Sequence, residues 1–277
     1  MSSRFVAGMT IEDAIAACER LNGEGIAATL DSLGESVKTE AEARHSAEVY
    51  HQLLDAIAAH GLKANVSVKL SQMGMDFDPR LAETIVGELV EHASGVDSFV
   101  RIDMEGSPYT EATVAITGRL QSRGRNRVGT VLQAYLYRTE SDAERLLNQG
   151  IRIRLCKGAY KEPPGIAFPE KKDVDANYLR LAQKMITSGV FCGIATHDEA
   201  IVKNLLGFVC ERSVPKEAFE FQMLYGIRRD LQRRLVKMGF GVRVYVPFGS
   251  EWYPYFMRRL AERPANVIFL LKNLLRS

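Results

Sequence analysis

The chain has 277 residues, 46% of them hydrophobic and 25% charged, with a formal net charge of +2. That supplies a large core and suits one α/β barrel or two small domains, while the near-neutral balance gives no electrostatic basis for a nucleic-acid partner. Four scattered cysteines without a CxxC, and five histidines without ligand spacing, argue against a zinc site or a disulfide framework.

The opening MSSRFVAGMT lacks the apolar core of a signal peptide, and the longest apolar stretch, Val267 to Leu271, is far too short to span a bilayer. The expectation is a cytoplasmic protein with reduced thiols, with peripheral contact at the inner face of the membrane left open.

In chain order, Thr10 to Leu21 reads as a helix, with Thr10 as cap and Asp13 at the capping-box position. Ile26 to Leu33 is the first strand, Glu40 to His60 a long amphipathic helix, and Lys63 to Leu70 the second strand. Arg80 to Ala93 is helical, Ser98 to Met104 the third strand, Thr110 to Arg123 helical, and Arg127 to Tyr137 the fourth strand. Ser141 to Asn148 is a short capped helix, and Arg152 to Cys156 the fifth strand. After a proline-rich loop come the helix Asp173 to Ser188, the strand Val190 to Thr196 and the helix Glu199 to Glu211. The seventh strand is Phe219 to Leu224, followed by the helix Arg228 to Met238 and the eighth strand, Val242 to Val246.

Pro247 and Gly249 break that strand, Ser250 reads as an N-cap, and Trp252 to Glu262 reads as a helix. On it Tyr255, Arg258, Arg259 and Glu262 share one face, and two adjacent guanidinium groups make a fork for a carboxylate. Pro264 to Leu275 is a last helix. Eight strand–helix units predict a closed (β/α)8 TIM-type barrel with additional terminal helices, one domain over residues 1–277. An open doubly wound sheet fits less well, because no GxGxxG follows the first strand.

Polar residues gather where the strands end: Glu35, Lys69, Asp103 and Glu105, Gln133, Arg154 and Lys157, Thr196 with His197 and Asp198, Gln222, and Tyr245. In a barrel these ends converge on the C-terminal rim, where active sites form. Each alone has a plain reading. Gln133 can be a satisfied barrel residue, His197-Asp198 the cap of the next helix, and Lys69 and Asp103 a pair that neutralise each other. Together they bury more polarity than a barrel tolerates without pairing or a ligand. No acyl-transfer triad, metal set or glycosidase carboxylate pair stands out, whereas the cationic and amide donors suit an anionic cofactor.

The segments RIDMEGS (101–107), VLQAYLYRT (131–139), RLCKGAY (154–160), ATHD (195–198), FQMLYG (221–226) and YVPFGSEWYPYFMRRLAERPAN (245–266) resemble the proline dehydrogenases, in particular the short bacterial monofunctional type. The resemblance runs from about Arg4 to the C-terminus. It implies FAD at the strand C-termini, oxidation of L-proline to Δ1-pyrroline-5-carboxylate by hydride transfer from C5 to flavin N5, and a membrane quinone as acceptor; it is also compatible with an oligomer. It implies that Arg258 and Arg259 bind the proline carboxylate, and that Lys69 and Asp103 form an active-site ion pair. Tyr245 and Leu224 match residues packed on the ring, and Tyr160 an aromatic of the pocket. Asp103 and Arg154 match catalytic groups, with Arg154 near N5. Met104, Gln133, Arg154, Lys157, Gly158, Ala159, Thr196, His197 and Gln222 match cofactor contacts. Glu35 matches an acid that pairs with Arg258 as a gate, and Glu262 the acid one turn after the arginine pair. Cys156 stands where valine is common in the family. The alternatives are a Schiff-base aldolase with Lys157 or Lys69 as nucleophile, and a non-catalytic barrel that binds a small carboxylate.

Overall fold

The computed structural model describes residues 5–34, 37–123 and 126–252. Its eight strands are β1 (Ala27–Ser32), β2 (Ala64–Val68), β3 (Val100–Ile102), β4 (Val128–Gln133), β5 (Arg152–Cys156), β6 (Cys192–Ala195), β7 (Phe219–Leu224) and β8 (Gly241–Phe248). Each pairs in parallel with the next, and β8 pairs with β1 from Ala27↔Arg243 to Ser32↔Phe248, so the sheet closes. Parallel strands need long crossovers, which the helices provide: α2 (Glu40–Ala59), α3 (Pro79–Gly95), α4 (Ser107–Arg123), α5 (Thr139–Asn148), α6 (Lys171–Ile186), α7 (Glu199–Glu211) and α8 (Arg229–Lys237). The helix α1 (Ile11–Gly23) precedes the first strand. The barrel expected from the sequence is therefore present.

Helix starts follow local chemistry. Thr10 and Asp13 form a reciprocal capping box on α1, Thr39 caps α2, and Asp78 with Pro79 at the first position starts α3. Several boundaries depart from the sequence reading: α4 begins at Ser107 rather than Thr110, and β8 runs on through Pro247, read as a breaker, to Phe248, with Pro247 and Phe248 both paired with β1. Ser141 does not cap α5; the helix begins at Thr139, and the Ser141 hydroxyl donates to the Arg138 carbonyl from inside the first turn. The strand expected to run to Tyr137 ends at Gln133. Beyond it Tyr135, Leu136, Ala167 and Val174 form a small apolar cluster of their own, joined by the Leu136↔Ala167 bridge.

The strands alternate, and the two sets of side chains meet different surroundings. Leu30, Val66, Val68, Ile102, Leu132, Ile153, Leu155, Ile194, Phe221 and Val244 are buried in the main apolar core with residues of the helices, such as Tyr50, Leu53, Ile85, Leu89 and Leu181. Burying each such side chain contributes roughly 1.5–3 kcal/mol. The intervening positions point into the lumen and are polar: Thr29 and Asp31, Asn65 and Ser67, Arg101, Arg154, Glu220 and Gln222, Arg243 and Tyr245. They are joined by hydrogen bonds across the barrel, which offsets the cost of burying them. The lumen has room for them partly because β6 offers a glycine. A Cβ on Gly193 would lie 2.3 Å from Nε2 of Gln222.

Candidate active site

The mouth of the lumen is organised around Arg154, which is 7% exposed. Its Nη1 donates to Oδ1 of Asp103 at 2.9 Å and to Oγ of Ser67 at 3.4 Å. Its Nε donates to Oε1 of Gln222 at 2.5 Å, and its Nη2 to Oγ1 of Thr29 at 3.5 Å. The guanidinium lies 5.2 Å from the centre of the Tyr245 ring, within cation–π range. Asp103 in turn accepts from Ser67 Oγ at 2.6 Å and from Tyr245 Oη at 2.7 Å. Five strands thus contribute to one cluster: β1, β2, β5, β7 and β8, with Asp103 just past β3. A positive group held through four of its five N–H donors, beside an aromatic face, is a preorganised electrostatic centre.

Next to it lies a buried ion pair that the sequence did not reveal. Lys69 Nζ donates to Asp31 at 2.9 and 3.1 Å, with Asp31 fully buried and Lys69 5% exposed. Lys69 was expected to pair with Asp103; instead Lys69 takes Asp31, and Asp103 takes Arg154. β2 lies between β1 and β3, so both carboxylates flank its end; Asp103 is taken by Arg154, Ser67 and Tyr245, and Lys69 bonds Asp31 on the β1 side. Tyr50 of α2 donates its hydroxyl toward Asp31 at 3.3 Å, and Gln72 Oε1 lies 3.1 Å from the same hydroxyl. Burial pushes the Asp31 carboxyl above its usual range, Lys69 opposes that shift, and the nearby Asp103 charge adds to it. The signal for Asp31 was an acid inside the apolar run IAATLDSL, a position where an unpaired charge is costly.

Around this centre the rim residues fall into two groups. On one side Gln133 donates Nε2 to the carbonyls of Met104 and Glu105 at 3.2 and 3.1 Å, and its Oε1 is buried without a donor among the described residues. On the other side His197 accepts from the backbone N–H of Leu224 through Nε2 at 2.9 Å. The imidazole is therefore neutral with its proton on Nδ1. Desolvation, helped by the positive charge of Arg228, holds it down at about 4. Thr196 is buried, and its Oγ1 accepts from the Asp198 N–H. Asp198 caps α7 through Ala200 and Ile201, as expected.

Lys157 leaves β5 and meets Asp198 at 2.9 Å and Asp175 at 2.5 Å. Gly158 follows with φ +116°, and a Cβ there would lie 2.5 Å from the Tyr135 ring, so only glycine lets the turn pass over that ring. Ala159 and Tyr160 continue the loop, and Tyr160 is 37% exposed at the rim. Both lysines named as Schiff-base nucleophiles are held by carboxylates, Lys157 by Asp198 and Asp175 and Lys69 by Asp31, rather than standing in the apolar pocket that such chemistry needs. Glu35, Arg258, Arg259 and Glu262, the helix expected over 252–262 except for Trp252, and the helix expected over 264–275 lie outside the described residues.

Among the described residues no group of three or more His, Cys, Asp or Glu is placed to hold a metal ion. The arrangement offers an orphaned amide acceptor, an oriented guanidinium and an aromatic wall, all at one barrel end.

A sequence profile of the proline dehydrogenase family matches residues 14–272. Proline dehydrogenase 1 of Bacillus subtilis subsp. natto is 43% identical over 273 residues, covering 99% of this chain and 90% of that protein. Proline dehydrogenase of Deinococcus radiodurans is 42% identical over 280 residues, covering 100% and 90%. Among solved structures, proline utilization A (PutA) of Bdellovibrio bacteriovorus, inactivated by N-propargylglycine, superposes with a TM-score of 0.87 at 24% identity. That match covers 94% of this chain and 32% of PutA, so the chain spans about a third of the larger protein.

Proposed function

This chain belongs to the proline dehydrogenase family of oxidoreductases, and we propose that it oxidises L-proline to Δ1-pyrroline-5-carboxylate with FAD at the C-terminal rim and a quinone as electron acceptor. The observation that carries this reading is the placement of Arg154, ion-paired with Asp103, bonded to Gln222 and set against Tyr245 at the barrel mouth.

The residues present fit a flavin. The buried Oε1 of Gln133 has no donor among the described residues, and an isoalloxazine carries an imide N–H. The glycine turn at Gly158 brings backbone to the rim without a side chain. When bound, FAD supplies a two-electron acceptor for the hydride leaving proline C5. Gln133, Gln222, Thr196, His197, Met104 and the Lys157-Gly158-Ala159 turn are the residues proposed to hold it.

The chain's own groups then have separable tasks. Arg154 sets a fixed positive charge where negative charge develops as the hydride is accepted. Asp103 touches Arg154 and Tyr245 rather than serving as an evident base, and so acts as a positioning group. Tyr245 and Leu224 bound the proline ring, with Leu224 fixed through its N–H on His197. Arg258 and Arg259 are proposed to take the carboxylate and so orient the ring, with Glu35 as the acid that pairs with Arg258 as a gate and Glu262 as the acid one turn after the arginine pair. The proline nitrogen must lose its proton before C5 releases a hydride, because only a lone pair can stabilise the developing iminium. Asp103 is held by three donors and Lys69 is paired with Asp31, so that proton passes to solvent.

Delivery of electrons to a membrane quinone implies contact at the inner membrane face. Among the described residues no helix is long and apolar enough to cross a membrane. Steady-state assay with L-proline and a quinone analogue, with the cyclic imine trapped as its o-aminobenzaldehyde adduct, tests the reading. Adduct formation from L-proline supports it, and flavin-loaded protein that forms none refutes it.

A further inference from the structure

Below Arg154 lies a second polar layer whose groups the reaction does not touch. Glu220 of β7 is 6% exposed. Its Oε1 accepts from Gln222 Nε2 at 2.6 Å and from Arg243 Nε at 2.6 Å. Arg243 is itself anchored, donating Nη1 to the Ala28 carbonyl at 2.7 Å and to Asn65 Oδ1 at 2.8 Å. Resting on the function proposed above, we propose that Glu220 is a positioning residue for the redox centre: it fixes which way the Gln222 amide faces, and through Gln222 it aims Arg154.

The argument is one of donor and acceptor identity. A guanidinium only donates and an ionised carboxylate only accepts. A glutamine amide has one end of each kind, so alone it could face Arg154 with either. With Glu220 beneath it, the amide must turn its NH2 down, which turns Oε1 up toward Arg154 Nε. In the order Arg243 → Glu220 ← Gln222 ← Arg154 → Asp103 ← Tyr245 every bond then pairs a donor with an acceptor, from the lumen floor to its mouth. Asp103 holds one side of the guanidinium through Nη1, and Gln222 holds the Nε edge. Without the second hold the plane of Arg154 can swing about its contact with Asp103.

A second observation points the same way. Gly193, beside Gln222 in the lumen, leaves the space that the amide fills; a Cβ there would lie 2.3 Å from Nε2 and 2.6 Å from Cδ. The amide therefore lies against the Gly193 backbone at the side and on Glu220 below, and a side chain at 193 would displace it.

Three variants separate an acceptor role from a charge role. Glu220→Gln removes the charge but keeps an oxygen able to accept both Nε2–H of Gln222 and Nε–H of Arg243. Glu220→Leu removes charge and acceptor. Gly193→Ala keeps every charge and displaces the amide, so it also serves if the leucine variant fails to fold.

In ligand-free crystal structures the Arg154 Nε to Gln222 Oε1 bond should persist in E220Q and be broken in E220L and G193A. In FAD-loaded protein the flavin midpoint potential should fall in G193A, because a misaimed Arg154 stabilises the reduced form less. Turnover in G193A should drop about tenfold, the scale on which orienting partners act, with the KM for proline changed less. An unmoved Arg154 in both E220L and G193A overturns the inference. So does a wild-type midpoint in G193A with Gln222 displaced, or an E220Q structure in which Arg154 has moved as far as in E220L. The crystallographic readout needs neither flavin nor proline, so failure of the proposed function and failure of this inference are told apart.

Discussion

Tyr245 donates its phenolic O–H to Asp103 at 2.7 Å while its ring stands 5.2 Å from the Arg154 guanidinium, so one tyrosine touches both halves of an ion pair. The aspartate thereby links a wall of the proposed substrate pocket to the charge proposed to face the cofactor. Removing the hydroxyl alone leaves the ring and the ion pair. Tyr245→Phe should therefore lower kcat/KM by about tenfold, at the low end of the roughly 1.5–3 kcal/mol that one hydrogen bond to a charged group contributes. Asp103→Ala strips Arg154 of its counter-charge and should cost far more, at least a hundredfold. Steady-state kinetics of both variants check the ordering; equal losses contradict it.

The Asp31–Lys69 pair is buried on both sides. Asp31→Leu removes the carboxylate that Lys69 Nζ bonds twice and should destabilise the fold by about 3–5 kcal/mol. Asp31→Leu combined with Lys69→Met removes both charges and should recover much of that loss. Urea unfolding of the wild type, the single and the double variant measures it. A double variant no more stable than the single would show that the pair is not the cause.

His197 carries a pH prediction with a definite sign. Its folded value is pushed to about 4, below the ordinary 6.5, first by burial and then by Arg228. Between about pH 6.5 and pH 4 the unfolded chain takes up a proton there that the folded chain refuses. Stability from this group is present above pH 6.5 and is lost as pH falls toward 4. His197→Gln should flatten that acid limb of the urea midpoint. An unchanged limb assigns the acid sensitivity elsewhere.

Gln133 and Gly158 test the cofactor cradle. Gln133→Leu removes the buried acceptor oxygen and should weaken FAD retention by about tenfold, the cost of one lost bond in a dry site. Gly158→Ala meets both the positive φ and the Tyr135 ring, and should lose flavin more severely and lower the melting temperature. The absorbance ratio of flavin to protein after gel filtration reads both.

Much of the fold was legible. The eight strands were each bounded by turn residues and separated by helical periodicity, and the runs RIRLC and FEFQML fell at β5 and β7 as read. What escaped was the interior. Glu220 and Arg243 stand at alternate positions in strands, where a polar residue ordinarily reads as solvent-facing. Only closure turns those positions into a lumen, and closure depends on β1 meeting β8, a contact between the two ends of the described sheet. The partner of Lys69 was hidden for the same reason, since Asp31 sits in a run that otherwise looks apolar. Ser141 failed as a cap because Thr139, two residues earlier, already bonds its hydroxyl to the Gln133 carbonyl and begins the helix.

The arginine pair at 258 and 259 gives a prediction independent of the lumen. Arg258→Ala should raise the KM for L-proline at least a hundredfold and leave flavin binding intact, because the lost contact is with the substrate carboxylate. Unaltered proline saturation in that variant removes this pair from the proposed site.

The central claim is most directly tested by anaerobic absorbance titration of the FAD-loaded protein with L-proline. The account predicts stoichiometric bleaching of the oxidised flavin band by L-proline and none by D-proline. A bound flavin that L-proline leaves fully oxidised would contradict it.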